Sequence, residues 1–132
     1  MPSPDPTTEP DLQVIIASGP AQVQHAILGL SAALAAAEMG NRVVVVLSMM
    51  GAHWAHDEQG IDRPVPGFGS IRELIDQLQE SGALLEACSA CVENYCPSPV
   101  GSDGKRQLPE PFRRIGLGLI ASRMTTVPTV TF

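Results

Sequence analysis

The chain has 132 residues, 44% of them hydrophobic and 17% charged, which amounts to about one domain with ample apolar material for a core and argues against intrinsic disorder. Eight Lys and Arg stand against 14 Asp and Glu, a formal charge of −6, so the chain repels phosphate backbones and nucleic acid is not an expected partner. No apolar run approaches the roughly 20 residues of a membrane helix, and the start lacks the basic and apolar regions of a signal peptide; a cytoplasmic chain with no membrane partner is expected.

In chain order, residues 1–11 carry four prolines and are expected to form a flexible tail ahead of a single domain over 12–132. Residues 12–18 (LQVIIAS) are a short apolar, β-branched run that reads as a buried strand. Gly19-Pro20 breaks it, and Pro20 suits the first turn of a helix, where its missing N–H has no partner to lose. The alanine-rich stretch 21–39 predicts a long helix, stopped at Gly40-Asn41, with Gly40 suited to a left-handed cap. Residues 43–47 (VVVVL) follow directly. A continuous β-branched run of this kind is typical of a parallel strand covered on both faces, so the first 47 residues spell a β-α-β unit.

A long irregular stretch, 48–69, comes next and reads as a functional loop. Ser70 with Glu73 forms a potential capping box, and Ile71, Leu74, Ile75 and Leu78 fall on one helical face of 71–81. Gly82 ends that helix. Residues 83–87 form a weaker strand candidate running into Cys88, with a short helix over 89–95 and polar loop after it. Residues 111–124 look helical, and 127–132 read as a last strand placed at an edge by Pro128. This alternation predicts an α/β fold: an open, mostly parallel sheet of four to five strands with helices on both faces.

In such sheets, chemistry gathers at the carboxyl ends of the strands. Ser18 and Gly19 follow the first strand and could bind substrate by lining an anion pocket at the helix start, His53 and His56 lie in the loop after the second as further substrate-binding candidates, and Cys88 and Cys91 follow the third. The odd count of three cysteines, Cys88, Cys91 and Cys96, without a secretion signal argues against a disulfide framework. Their clustering points to thiol chemistry instead. A cysteine near a helix start meets unpaired N–H groups and the positive end of the dipole, which favour a nucleophilic thiolate; Glu86 and Glu93 on either side act against ionisation. His53 or His56 could supply a proton or steady an anionic sulfur. The three cysteines with one of these histidines would make four zinc ligands, but no second C-x-x-C pair exists and Pro97 follows Cys96, so neither metal nor cofactor is expected. The aliphatic surplus also suggests self-association, with Ile115, Leu117, Leu119 and Ile120, or the first helix, at a subunit contact.

From 12 to 132 the chain resembles the DsrE/DsrF/DsrH family of sulfur-relay proteins. The resemblance is carried by the small-residue turn Ala17-Ser18-Gly19-Pro20, the alanine-rich helix leading through Gly40-Asn41 to the second strand, the segment Cys88-Ser89-Ala90-Cys91-Val92-Glu93, and the terminal Thr129-Val130-Thr131-Phe132. It implies a flavodoxin-like sheet, a homo-oligomer such as a trimer or hexamer, and a cysteine that accepts sulfane sulfur from a donor protein and passes it to an acceptor protein. By position Cys91 matches the sulfur-carrying cysteine and Cys88 the accessory one. The expected function is thus a sulfur carrier or sulfurtransferase holding a persulfide on Cys91. The alternative is a non-catalytic oligomeric scaffold or binding subunit of the same fold, and behind that a zinc-stabilised module.

Overall fold

The run Val43–Leu47 forms β2, and all five residues are buried, as a strand covered on both faces must be. A computed structural model describes residues 9–56 and 64–132. Around β2 it arranges β1 (Leu12–Ile16), β3 (Leu84–Cys88), β4 (Arg113–Ile115) and β5 (Thr129–Thr131). The sheet order is β4-β3-β2-β1-β5 and every pairing is parallel. The expected open parallel sheet is therefore present, with five strands.

Helix α1 (Val23–Glu38) starts after a 3-10 turn at Pro20–Gln22. It ends where Gly40 takes φ +98° and the amides of Gly40 and Asn41 bond back to the carbonyls of Ala37 and Ala36, the left-handed cap that only glycine adopts without steric cost. Helix α2 (Ile71–Glu80) is capped by Ser70, whose hydroxyl accepts from the Glu73 amide at 3.3 Å. Its Ile71, Leu74, Ile75 and Leu78 are all buried, as the spacing predicts. Helices α1 and α2 pack on each other, and Gly29 of α1 sits against Ile16, which fixes the face they cover.

The opposite face carries α4 (Leu117–Met124). Register places Gln13, Val44, Val46, Glu86 and Arg113 on that face, and two of these are polar residues with no exposed surface, Gln13 and Glu86. Arg123 of α4 donates to both Glu86 carboxylate oxygens, at 2.6 and 3.1 Å, and Arg113 of β4 donates to one of them at 2.9 Å. Gln13 donates to the Ile120 carbonyl at 3.3 Å. A buried carboxylate is tolerated only when it is paired in this way, so one Arg-Glu-Arg cluster ties β3, β4 and α4 together.

Several expectations are corrected. Residues 111–124 are not one helix: Arg113–Ile115 pairs with Glu86–Cys88 as β4, and Gly116 separates it from α4. The Arg113–Glu86 ion pair and the strand hydrogen bonds outweigh whatever helix propensity the segment has. The stretch 48–69 is not irregular throughout, since Met49–Trp54 is a 3-10 helix; residues 57–63 lie outside the described residues. So do residues 1–8 of the expected tail, while Asp11 is bonded to the backbone and guanidinium of Arg42. Ile115 and Ile120 are buried in the chain's own core and cannot serve a subunit contact.

Removing Arg123 leaves the buried Glu86 carboxylate with Arg113 alone, whose side chain is 41% exposed. Arg123→Met should therefore lower stability by about 3 kcal/mol, read from urea unfolding. The double variant Glu86→Leu/Arg123→Met should cost less than the single one, because no buried charge is left behind.

Candidate functional site

The carboxyl ends of β1, β2 and β3 meet at one rim of the sheet. The loop after β2 turns back sharply there. Its Met49 adopts φ +51°, the one left-handed non-glycine residue among those described, a conformation that costs energy and clusters at functional sites. A Cβ on Gly51 would come within 1.9 Å of the Ile16 carbonyl oxygen, so only glycine allows this loop to lie against the end of β1. Trp54, fully buried, donates its indole N–H to the Ser18 carbonyl at 2.9 Å, and the Ser48 amide donates to the Ile16 carbonyl at 3.0 Å.

This packing sets Ser48 beside the thiols. Helix α3 (Ser89–Tyr95) begins directly after β3, with Cys88 as its N-cap and Cys91 in its first turn. Ser48 Oγ and Cys91 Sγ are 3.7 Å apart, a weak hydrogen bond in which either atom can donate. All three thiols are buried; Cys91 keeps 7% of its surface exposed, against 1% for Cys88 and 2% for Cys96, so it is the least enclosed of the three. Burial pushes the Cys88 thiol above its ordinary pKa; the amides of Cys91 and Ala90 pull the other way, but the Cys91 side chain adds to the rise. Burial thus favours the protonated thiol at Cys88, next to Cys91. At Cys88 desolvation outweighs the pull of the helix-start amides.

The remaining candidates divide. Cys96 turns away: its thiol donates to the Ala55 carbonyl at 3.4 Å and lies 3.2 Å from Ser98 Oγ. Among the described residues no group of three or more His, Cys, Asp or Glu is placed to hold a metal ion, which separates Cys96 from the four-ligand zinc arrangement. His56 is buried, and its Nδ1 lies 2.5 Å from the His53 carbonyl; since a carbonyl only accepts, Nδ1 is the donor of that bond. The His53 ring meets those of Trp54 and His56 edge-on, centroids 5.1 Å away in both cases. The Ser18 hydroxyl donates to the Phe132 carbonyl at 3.5 Å, and Gly19 lies under Met50. Ser18 and Gly19 therefore brace the rim against the chain end and the loop after β2.

Two residues at the site were not singled out by sequence. Ser48 is signalled only by its place directly after the β2 run. Arg114 donates to Ser89 Oγ at 3.2 Å and pairs with Glu93 at 2.9 Å, clasping α3 at both ends of its first turns. Glu93 also accepts from the Arg106 amide at 3.0 and 3.2 Å, and that bond, with Arg114, holds its carboxyl below the usual range. Among the described residues, no helix is long and apolar enough to cross a membrane.

Comparison with known proteins gives a consistent picture. The model of the DsrE/DsrF-like family matches residues 12–122. No curated protein matches the chain. Among solved structures, the YchN protein from E. coli aligns with a TM-score of 0.67 at 16% identity, covering 92% of this chain and 99% of that one. A conserved protein of unknown function from Bacteroides thetaiotaomicron, BT1422, aligns with a TM-score of 0.56 at 19% identity, covering 92% and 95%. At these identities the two structures establish the shared fold.

Because the Cys88 pKa is raised in the folded state, the stability it supports is present below the ordinary thiol range of about 8.5 and is lost as pH rises through the higher folded value. Unfolding curves should show the parent losing stability on the alkaline side, and Cys88→Ala should flatten that slope. An unchanged slope in Cys88→Ala would show that another group titrates.

Proposed function

The chain belongs to the DsrE/DsrF-like family, and from that premise we propose that it is a cytoplasmic sulfur carrier that holds sulfane sulfur as a persulfide on Cys91 and relays it between a donor and an acceptor protein. Family membership supports a role of the sulfur-relay kind. The observation that carries the finer reading is the placement of Cys91, which is the least buried of the three cysteines, sits in the first turn of α3, and has Ser48 Oγ at 3.7 Å.

The chemistry is an exchange without net oxidation. The Cys91 sulfur attacks the outer sulfur of a donor persulfide, R–S–SH. The donor S–S bond breaks, a new S–S bond forms on Cys91, and the donor leaves as the thiol R–SH with the proton that Cys91 gave up. The acceptor repeats the exchange in the other direction and restores the Cys91 thiol. Cys88, protonated and adjacent, supports this by offering a hydrogen bond to anionic sulfur on Cys91, and the Ser48 hydroxyl offers a second. We assign Ser18 and Gly19 to the rim that keeps the loop after β2 in place, and His53 and His56 to the approach of the substrate along that loop.

The same reading includes self-association. Helix α4 turns Leu117, Leu119 and Met124 outward, at 64%, 39% and 53% exposure, more apolar surface than one short helix normally leaves to water. We assign this surface to contact with further copies of the chain.

Two measurements test the proposal. Intact mass spectrometry after incubation with thiosulfate or a small persulfide should show the parent gaining one sulfur atom, Cys96→Ser gaining it equally and Cys91→Ser gaining none. Loading of Cys91→Ser at the parent level refutes the assignment. Light scattering at micromolar concentration should give a parent larger than one chain and a Leu117→Glu/Met124→Glu variant shifted to monomer; a monomeric parent removes the assembly.

A further inference from the structure

The connection from α3 to β4 gathers cations in an otherwise acidic molecule. Lys105, Arg106, Arg113 and Arg114, half of the eight Lys and Arg in the chain, line one cleft of about 480 Å³ in which Asp103 is the only acid. Leu108 and Phe112 supply its apolar wall.

The local carboxylates do not balance this charge. Glu93 pairs with Arg114, and Glu86 is shared between Arg113 and Arg123. Asp103 accepts from the Lys105 backbone amide. The Arg106 guanidinium is held by neutral acceptors, the carbonyls of Glu93 at 3.2 Å and Ser98 at 2.8 Å, and its charge is offset only in part, by the Glu93 carboxylate it shares with Arg114. Lys105 is exposed, and the Arg113 Nε, buried, has no acceptor. The four cations of the cleft thus share Asp103, Glu93 and a Glu86 that is also claimed by Arg123 outside it, with three of the guanidinium groups anchored in place by bonds to α3, β3 and the loop. Clustering like charges is unfavourable unless an anion relieves it, and anchored guanidinium forks suit oxygen pairs on phosphate or carboxylate.

We propose that this cleft is a binding site for a small organic oxyanion, one carrying a phosphate, sulfonate or paired carboxylates on a carbon body. The guanidinium groups and Lys105 take the oxygens, while Leu108 and Phe112 take the carbon part. The volume lies within the roughly 300–1,000 Å³ of small-molecule sites and exceeds what a bare inorganic oxoanion fills. The site is separate from Cys91 and does not rest on sulfur transfer, although Arg114 also bonds Ser89 at the start of α3.

Calorimetric titration of the full chain with phenyl phosphate and with inorganic phosphate tests it. Phenyl phosphate should bind at a single site, several-fold tighter than inorganic phosphate. Lys105→Gln, which removes an exposed charge, and Gln107→Glu, which adds an acid to the cleft lining, should each weaken it by roughly five- to tenfold. Arg42→Gln removes a cation that pairs with Asp11 outside the cleft and should leave the affinity unchanged. No binding at millimolar phenyl phosphate, equal affinity for the two anions, or equal losses in Arg42→Gln and Lys105→Gln would each overturn the proposal.

Discussion

The approach of Gly51 to the Ile16 carbonyl is the contact on which the rim of this molecule depends. No side chain fits there, since a Cβ would stand 1.9 Å from the oxygen, and the backbone accepts a left-handed Met49 two residues earlier to reach it. With the loop after β2 folded over the end of β1, Trp54 is buried against Ser18 and Ser48 faces the first turn of α3. The surroundings of Cys91 are therefore built by main-chain packing between two loops, and the thiol itself is a late addition to a frame that is already closed.

Much of the fold was legible because it is written in local periods. The β-branched run of β2, the alanine-rich α1 with its Gly40 stop and the Ser70-capped face of α2 each carry their own signal. The strand β4 does not. Three residues are too few to show alternation, two of them are arginines, and their reason for being extended is Glu86, which lies 27 positions earlier in the chain. The site was legible to a similar degree. Spacing placed Cys88 and Cys91 at a strand-to-helix turn, but it could not show that burial keeps Cys88 protonated or that Cys96 turns to Ala55 and Ser98. Nor could it reveal Arg114 on Ser89, a contact that exists only once β4 is a strand.

The buried charges explain how one short helix is held on its sheet face. Apolar packing alone is forgiving about rotation, whereas a bidentate guanidinium is not. Arg123 on the two oxygens of Glu86, with Gln13 on the Ile120 carbonyl, fixes the rotation of α4 about its axis. Only Ile120 and Arg123 of that helix are buried. Orientation by a polar anchor is what leaves Leu117, Leu119 and Met124 facing outward, so the apolar surface of α4 follows from an ion cluster in the interior.

The sheet ends on both sides in strands of three residues, β4 and β5. Short edges, one of them bearing two paired arginines, give an incoming chain little ladder to extend. Among the described residues, growth of the sheet from copy to copy is thus disfavoured at both edges by the shortness of the ladder each one offers.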